Sequence, residues 1–189
     1  SAAVSDGVTF LVLSDRGLTA DLAPVPSLLA TGAVHHHLID EKTRTRVGLL
    51  VESGDAREVH HISLLLGYGA SAVCPYLAFA TIDALVAEGM YGLSPELTSE
   101  QSRSSFIKAC DQGLLKIMSK MGISTVASYS GGQIFEAIGL AYSSAWRGSR
   151  VGFFGPFFTL DSTLCTCGGS VFKRQRCARY RGFKPGWFS

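Results

Sequence analysis

Two short apolar runs end in side chains that can hold a polar ligand. Ser14-Asp15-Arg16 closes the first, and Glu52-Ser53 closes the second. In parallel α/β folds the carboxyl ends of strands feed loops where ligands gather. Asp15, Arg16 and Glu52 therefore offer carboxylates and a guanidinium for a polar substrate. The same rule selects Cys74 and the run Ser128-Tyr129-Ser130. The competing reading is structural: Asp15 and Arg16 cap helices or pair with each other, as charges at loop ends commonly do.

Lys116 and Lys120 stand four residues apart, so a helix puts them on one face. Ser119, Gly122, Ser124 and Thr125 follow closely, and together they suit a phosphate or a dicarboxylate. The alternative is a solvated helix edge carrying two lysines. A phosphate loop of the Gly-x-x-x-x-Gly-Lys-Ser/Thr type is absent from the sequence. Ser130-Gly131-Gly132 is a second turn hospitable to anions.

The five histidines form two clusters, His35-His36-His37 and His60-His61, each within a predicted helix. Adjacent helical residues point about 100° apart, which opposes convergence on one metal ion. Packing and hydrogen bonding account for them better, and no metal ligand is assigned. Cys110 lies in an apolar helical stretch and reads as packed. Cys165 and Cys167 have one residue between them and no second pair, which is no recognisable zinc pattern. No spacing argues for a nucleophilic triad.

Alternating strands and helices would position these groups. Residues 8–14 are rich in strand formers between Gly7 and Asp15, and predict a buried strand. Leu28, Leu29, Ala33, His36 and His37 fall at helical spacing over 27–39. A second strand is predicted at 46–51. Asp55 as N-cap with Glu58 three residues on predicts a capping box for a helix ending at Gly67. A third strand follows at 70–74, and Pro75 opens a helix over 76–88. The pattern continues with a helix over 99–120, weakened by Gly113, then a strand at 122–127 and a helix at 131–139. The fold class is α/β, with parallel βα units in either a partial barrel or an open sheet.

Apolar residues make up 47% of the 189 and charged residues 17%, which fits a buried core and opposes disorder. No apolar run is long enough to span a bilayer. The opening SAAVSDG lacks the regions of a signal peptide, so a cytosolic or organelle-matrix location is expected. Residues 1–140 carry 9 Lys and Arg against 14 Asp and Glu, whereas residues 141–189 carry 8 against one. That second stretch also holds 11 of the 19 aromatic residues, and the helical and strand periodicities fail there. It reads as an irregular C-terminal tail. Its basic and aromatic residues allow a nucleic-acid contact, but no nucleic-acid motif accompanies them.

Four blocks resemble the large subunit of glutamate synthase, in the family's order. They are LVLSDRG at 11–17, VPSLLATGAVHHHLI at 25–39, VESGDAREVHHISLLLGYGASAVCPYLAF at 51–79 and KACDQGLLKIMSKMGISTVASY at 108–129. The resemblance implies that residues 1–90 are the end of the family's central α/β domain. It implies that 91–140 begin the FMN-binding (β/α)8 domain, and that 141–189 are a divergent tail. The family enzyme forms glutamate from glutamine-derived ammonia and 2-oxoglutarate, using FMN and an iron–sulfur cluster. A closed path keeps ammonia from protonation and loss before it reaches the second site. The resemblance makes Lys116, Lys120, Ser124 and Gln133 candidates for positions near the flavin or 2-oxoglutarate, with no residue assigned a catalytic role.

The amidotransferase cysteine and most FMN-holding loops are expected to lie outside these residues. The chain alone is accordingly expected to be inactive and to bind neither cofactor. Its expected partners are the remaining domains of the parent chain, with ferredoxin or a small NAD(P)H-dependent subunit as electron donor. The expected location is the cytoplasm, or the plastid stroma in a plant or alga. Two departures stand out. Ser130 replaces an arginine of the family pattern before Gly131, and Cys165, Cys167 and Cys177 do not keep the family's cluster spacing. The resemblance fades after IFEAIGL at 134–140. The runner-up is a non-catalytic α/β interaction module with a basic partner-binding tail.

Overall fold

The computed structural model describes residues 2–16, 24–89, 92, 96–135, 165–167 and 170–172. Its centre is a three-stranded parallel sheet in the order β1-β2-β3, built from β1 (Phe10–Ser14), β2 (Gly48–Glu52) and β3 (Ala72–Cys74). A short helix, α1 (Ala2–Ser5), precedes it. Helices α2 (Ser27–Asp40) and α3 (Val59–Gly67) form the two crossovers. The mixed α/β class with a parallel open sheet is therefore as the sequence predicts.

Side chains alternate across a strand, so register fixes which residues share a face. Leu13 pairs with Val51, which pairs in turn with Val73. Leu13 and Leu49 pack with Ala30, Val34 and Leu38 of α2, while Val51 and Val73 pack with Ile62, Leu65 and Leu66 of α3. Leu49 and Val51 lie two residues apart on one strand face. Both helices consequently cover the same side of the sheet. Leu49 is completely buried, and cutting such a leucine to alanine typically costs about 2–5 kcal/mol.

The opposite side carries Phe10 and Val12 of β1, Leu50 of β2 and Ala72 and Cys74 of β3. Phe10 is 63% exposed and Val12 45%. The predicted buried strand at 8–14 is thus buried on one face only.

Beyond β3, Pro75 precedes α4 (Tyr76–Glu88), as predicted. Helix α5 (Ser99–Met121) packs against both α3 and α4. Thr98 caps it reciprocally with Gln101, each supplying an acceptor to the other's backbone N–H at 3.2 Å. Gly113 is not the weak point predicted. A Cβ there would lie 2.3 Å from Val59 Cγ1, so its hydrogen atom is what lets α5 sit on α3.

Three predicted features differ. Residues 122–127 form no strand: Gly122 ends α5 with φ +71°, and the Ile123 N–H turns back to the Met118 carbonyl at 2.9 Å. Thr125 then caps a short helix, α6 (Val126–Tyr129), so the β-branched run is spent on ending one helix and starting another. Residues 131–135 are non-helical, with left-handed Gly131 and Gln133; the rest of the predicted helix at 131–139 lies outside the described residues. Asp55 and Glu58 form no capping box. Glu58 is the N-cap of α3 without a side-chain capping bond, and Asp55 accepts instead from Ser27 N at 3.4 Å. In the tail, β4 (Cys165–Cys167) and β5 (Ser170–Phe172) pair antiparallel.

The α3–α5 contact gives a direct test. Gly113→Ala gains roughly 1 kcal/mol of helix propensity, yet overpacking costs about 1–3 kcal/mol. Chemical denaturation is expected to show a net loss of stability, recovered in part when Val59→Ala is added. A stabilised Gly113→Ala variant would contradict this packing.

Candidate functional site

The carboxyl edge of the sheet gathers the first set of sequence candidates. Ser14 Oγ donates to Glu52 Oε2 at 2.5 Å, and Arg16 Nε donates to Glu52 Oε1 at 2.5 Å. Each comes from the loop end of β1 and meets the last residue of β2. Asp15 Oδ2 accepts the Gly54 N–H at 2.8 Å, and the Ser53 N–H reaches the Cys74 carbonyl at 3.0 Å. The Arg16 guanidinium lies 4.1 Å above the Tyr76 ring at the start of α4. Burial, then the Asp15 carboxylate, raise the Tyr76 phenol above its usual range, with Arg16 opposing. Ser53 Oγ shares a 2.7 Å bond with Ser27 Oγ and accepts the Asp55 N–H at 3.0 Å.

These contacts tie the ends of β1, β2 and β3 and the starts of α2 and α4 into one polar clasp. Arg16 pairs with Glu52 rather than with Asp15, and Asp15 serves a loop N–H rather than a helix cap. The clasp engages both carboxylates in holding the strand ends. Its outer face is the Arg16–Tyr76 stack, where the arginine side chain is 55% exposed. Cys74 is a free, exposed thiol at the end of β3. Tyr129, selected as a strand end, is instead fully buried on α6. Its hydroxyl donates to the Ser63 carbonyl at 2.9 Å, and its ring meets Phe135 edge-on.

Lys116 and Lys120 are exposed one turn apart on α5, and Ser124 is exposed just beyond its cap. Gln133 adopts φ +55° and borders a shallow hollow of only about 10 Å³ with His35, His36, Tyr68 and Phe135. Neither lysine nor Ser124 lines that hollow. Pockets that hold cofactors typically measure about 300–1,000 Å³. The described residues do not enclose a flavin, and among them no three His, Cys, Asp or Glu side chains gather as metal ligands would.

Sequence reasoning missed Arg44. Its Nε donates to His35 Nδ1 at 2.9 Å, while Nη1 and Nη2 donate to the Val47 and Gly69 carbonyls at 2.9 and 2.7 Å. One guanidinium thereby joins α2, the approach to β2 and the loop after α3. No local pattern signals it, because its partners lie up to 25 residues away. His61 meets Glu58 at 3.4 Å, and His60 packs edge-on against Phe135.

The match to known proteins follows the same residues. The family model of the glutamate synthase central domain matches residues 1–141. The chain belongs to the glutamate synthase family. It is 52% identical over 138 residues to a glutamate synthase [NADH] of Schizosaccharomyces pombe, covering 73% of this chain and 6% of that protein. It is 50% identical over 139 residues to a glutamate synthase [NADPH] large chain of Bacillus subtilis, covering 74% and 9%. A ferredoxin-dependent glutamate synthase of Pyropia yezoensis is 44% identical over 151 residues, covering 74% and 10%. The chain thus spans a tenth or less of the length of these glutamate synthases. The family match ends at residue 141. The reading as a non-catalytic interaction module is not favoured, because the body it assigned to partner binding carries the match.

His35 provides a test of the buried network. Burial first, then Arg44 and His36, lower its pKa from 6.5 to about 4. The folded protein therefore holds His35 neutral, and the unfolded chain takes up the proton first. This contribution is complete above pH 6.5 and is lost as pH falls toward about 4. Urea unfolding is expected to show about 1–2 kcal/mol less stability at pH 5 than at pH 7. His35→Gln should flatten that slope; an unchanged slope would refute the assignment.

Proposed function

We propose that the chain serves as a scaffold segment of a longer glutamate synthase. That enzyme forms glutamate from glutamine-derived ammonia and 2-oxoglutarate, using FMN and an iron–sulfur cluster. The supporting observation is the 50% identity to a large chain that the match covers for only 9% of its length. In this reading residues 1–90 end the central domain, 91–140 lead into the FMN-binding barrel, and 141–189 are a divergent tail. The chain's own contribution is positional. Its sheet and the clasp at the strand ends hold the wall from which α5 projects.

FMN would supply the electron transfer within the parent enzyme. The described residues do not enclose it. Lys116, Lys120, Ser124 and Gln133 are proposed to lie near the flavin or the 2-oxoglutarate. Exposed lysines one turn apart, with Ser124 exposed just beyond the helix end, suit a phosphate or a dicarboxylate. The proposed electron donor is ferredoxin or a small NAD(P)H-dependent subunit, as the names of the relatives suggest. The proposed location is the cytoplasm, or a plastid stroma in a plant or alga; relatives from Arabidopsis thaliana and Oryza sativa carry chloroplastic names. Among the described residues no helix is long and apolar enough to cross a membrane.

The test uses a parent-length large chain of the Bacillus subtilis relative in which residues 1–140 replace the matching stretch. It is expected to form glutamate from glutamine and 2-oxoglutarate; a folded, FMN-loaded chimera without that activity would overturn the proposal. In the same chimera, Lys116→Ala and Lys120→Ala are expected to raise the KM for 2-oxoglutarate or the Kd for FMN. The change should be roughly tenfold or more, the loss of one charge-assisted hydrogen bond. Both constants unchanged would remove these lysines from the site.

A further inference from the structure

We infer that the uncovered side of the sheet is an interface, and that an apolar element of the longer parent chain occupies it. The inference rests on the reading of the chain as part of a longer synthase, and it adds the surface through which that part is held.

All-parallel sheets occur almost only with both faces covered, because each strand is apolar on both sides. Here α2 and α3 lie on the Leu49 and Val51 side alone. The other side presents Phe10, Val12, Leu50 and Ala72 in register across all three strands. Phe10 and Val12 are 63% and 45% exposed. Water contact at several large side chains forfeits about 25 cal/mol for each Å² left uncovered, so the face is unstable against any apolar partner in reach.

Three observations decide what that partner is. First, Glu52 is the one charged residue among the described strand positions on this face, and at its carboxyl rim it is paired with Arg16. The face therefore has an apolar interior and no charge stripe to attract nucleic acid or an acidic protein. Second, α4 reads Tyr-Leu-Ala-Phe-Ala-Thr-Ile-Asp-Ala-Leu-Val-Ala-Glu, yet none of its residues is buried. A helix apolar over most of its circumference, as this one is apart from Thr81, Asp83 and Glu88, belongs inside a larger body. Two separate elements thus have surfaces suited to the interior of something bigger. Third, this chain covers only 6–10% of the length of its relatives. Polypeptide of the same parent is present at fixed stoichiometry and high effective concentration, which a second copy is not.

Hydroxyl-radical footprinting reads the occupancy of the face at Phe10. It compares the 189-residue chain with a parent-length synthase carrying residues 1–140, while glutamate formation is measured on the same synthase sample. Oxidation of Phe10 is expected to fall roughly threefold or more in the parent-length enzyme, in proportion to the area withdrawn from water. Equal oxidation in both forms would overturn the inference. Protection already present in the 189-residue chain would also overturn it. Protection that grows with concentration would assign the face to a second copy, and concentration-independent protection to the chain's own remaining residues. An active synthase with Phe10 exposed would defeat this inference alone, whereas an inactive, folded one would defeat the functional reading. Val12→Asp gives a second readout. It is expected to leave the unfolding midpoint of the 189-residue chain unchanged and to lower that of the parent-length enzyme; equal effects on both would count against the interface.

Discussion

The ridge formed by Leu13, Leu49, Val51 and Val73 under two helices holds the described body together. It exists because three short strands pair in parallel with a register that puts these four side chains on one side. Leu49 and Val51, from the central strand, touch different helices, so β2 is where the two halves of the core meet. Everything that projects from the sheet inherits its position from this ridge. The clasp at the carboxyl edge aligns only because the strand ends are level, Ser14 opposite Glu52 and Glu52 opposite Cys74.

Polar groups then fix what hydrophobic burial leaves loose. Burial is non-directional and does not by itself choose one loop geometry. Glu52 receives both Ser14 and Arg16, and Arg44 receives acceptors from three separate segments. Replacing one partner in such a network strands the others, which is costlier than never having had the bond. The same logic explains neutral His35: its Nδ1 must stay an acceptor for Arg44, and protonation would set two cations side by side.

Much of this architecture is legible in the residues. Strand formers bounded by Gly and Asp, and Pro75 ahead of an apolar helix, mark β1 and α4 within a residue or two. The strand ends at Ser14 and Glu52 were also readable, since position alone selects them. What failed did so through competition that local pattern cannot reveal. Ile123 and Thr125 look like strand residues, but Gly122 in a left-handed conformation turns the chain before pairing can begin. Asp55 has the spacing of a cap, but Ser27, 28 residues earlier, offers it a partner. Gly113 looks like a weak helix residue until Val59 is placed against it. Tyr129 looks like a strand-end residue but is a packing residue, recognisable only once α3 lies beneath it. The family relationship extends furthest, because long ungapped blocks carry more information than any single spacing.

Amide hydrogen exchange on the 189-residue chain tests the central claim most directly. The slowest-exchanging amides should be those of β2, Leu49 to Glu52, because that strand is bonded on one side to β1 and on the other to β3, with its ridge under both helices. Exchange across Leu49 to Glu52 as fast as in the loop at 53–58 would mean that the parallel sheet does not organise this body.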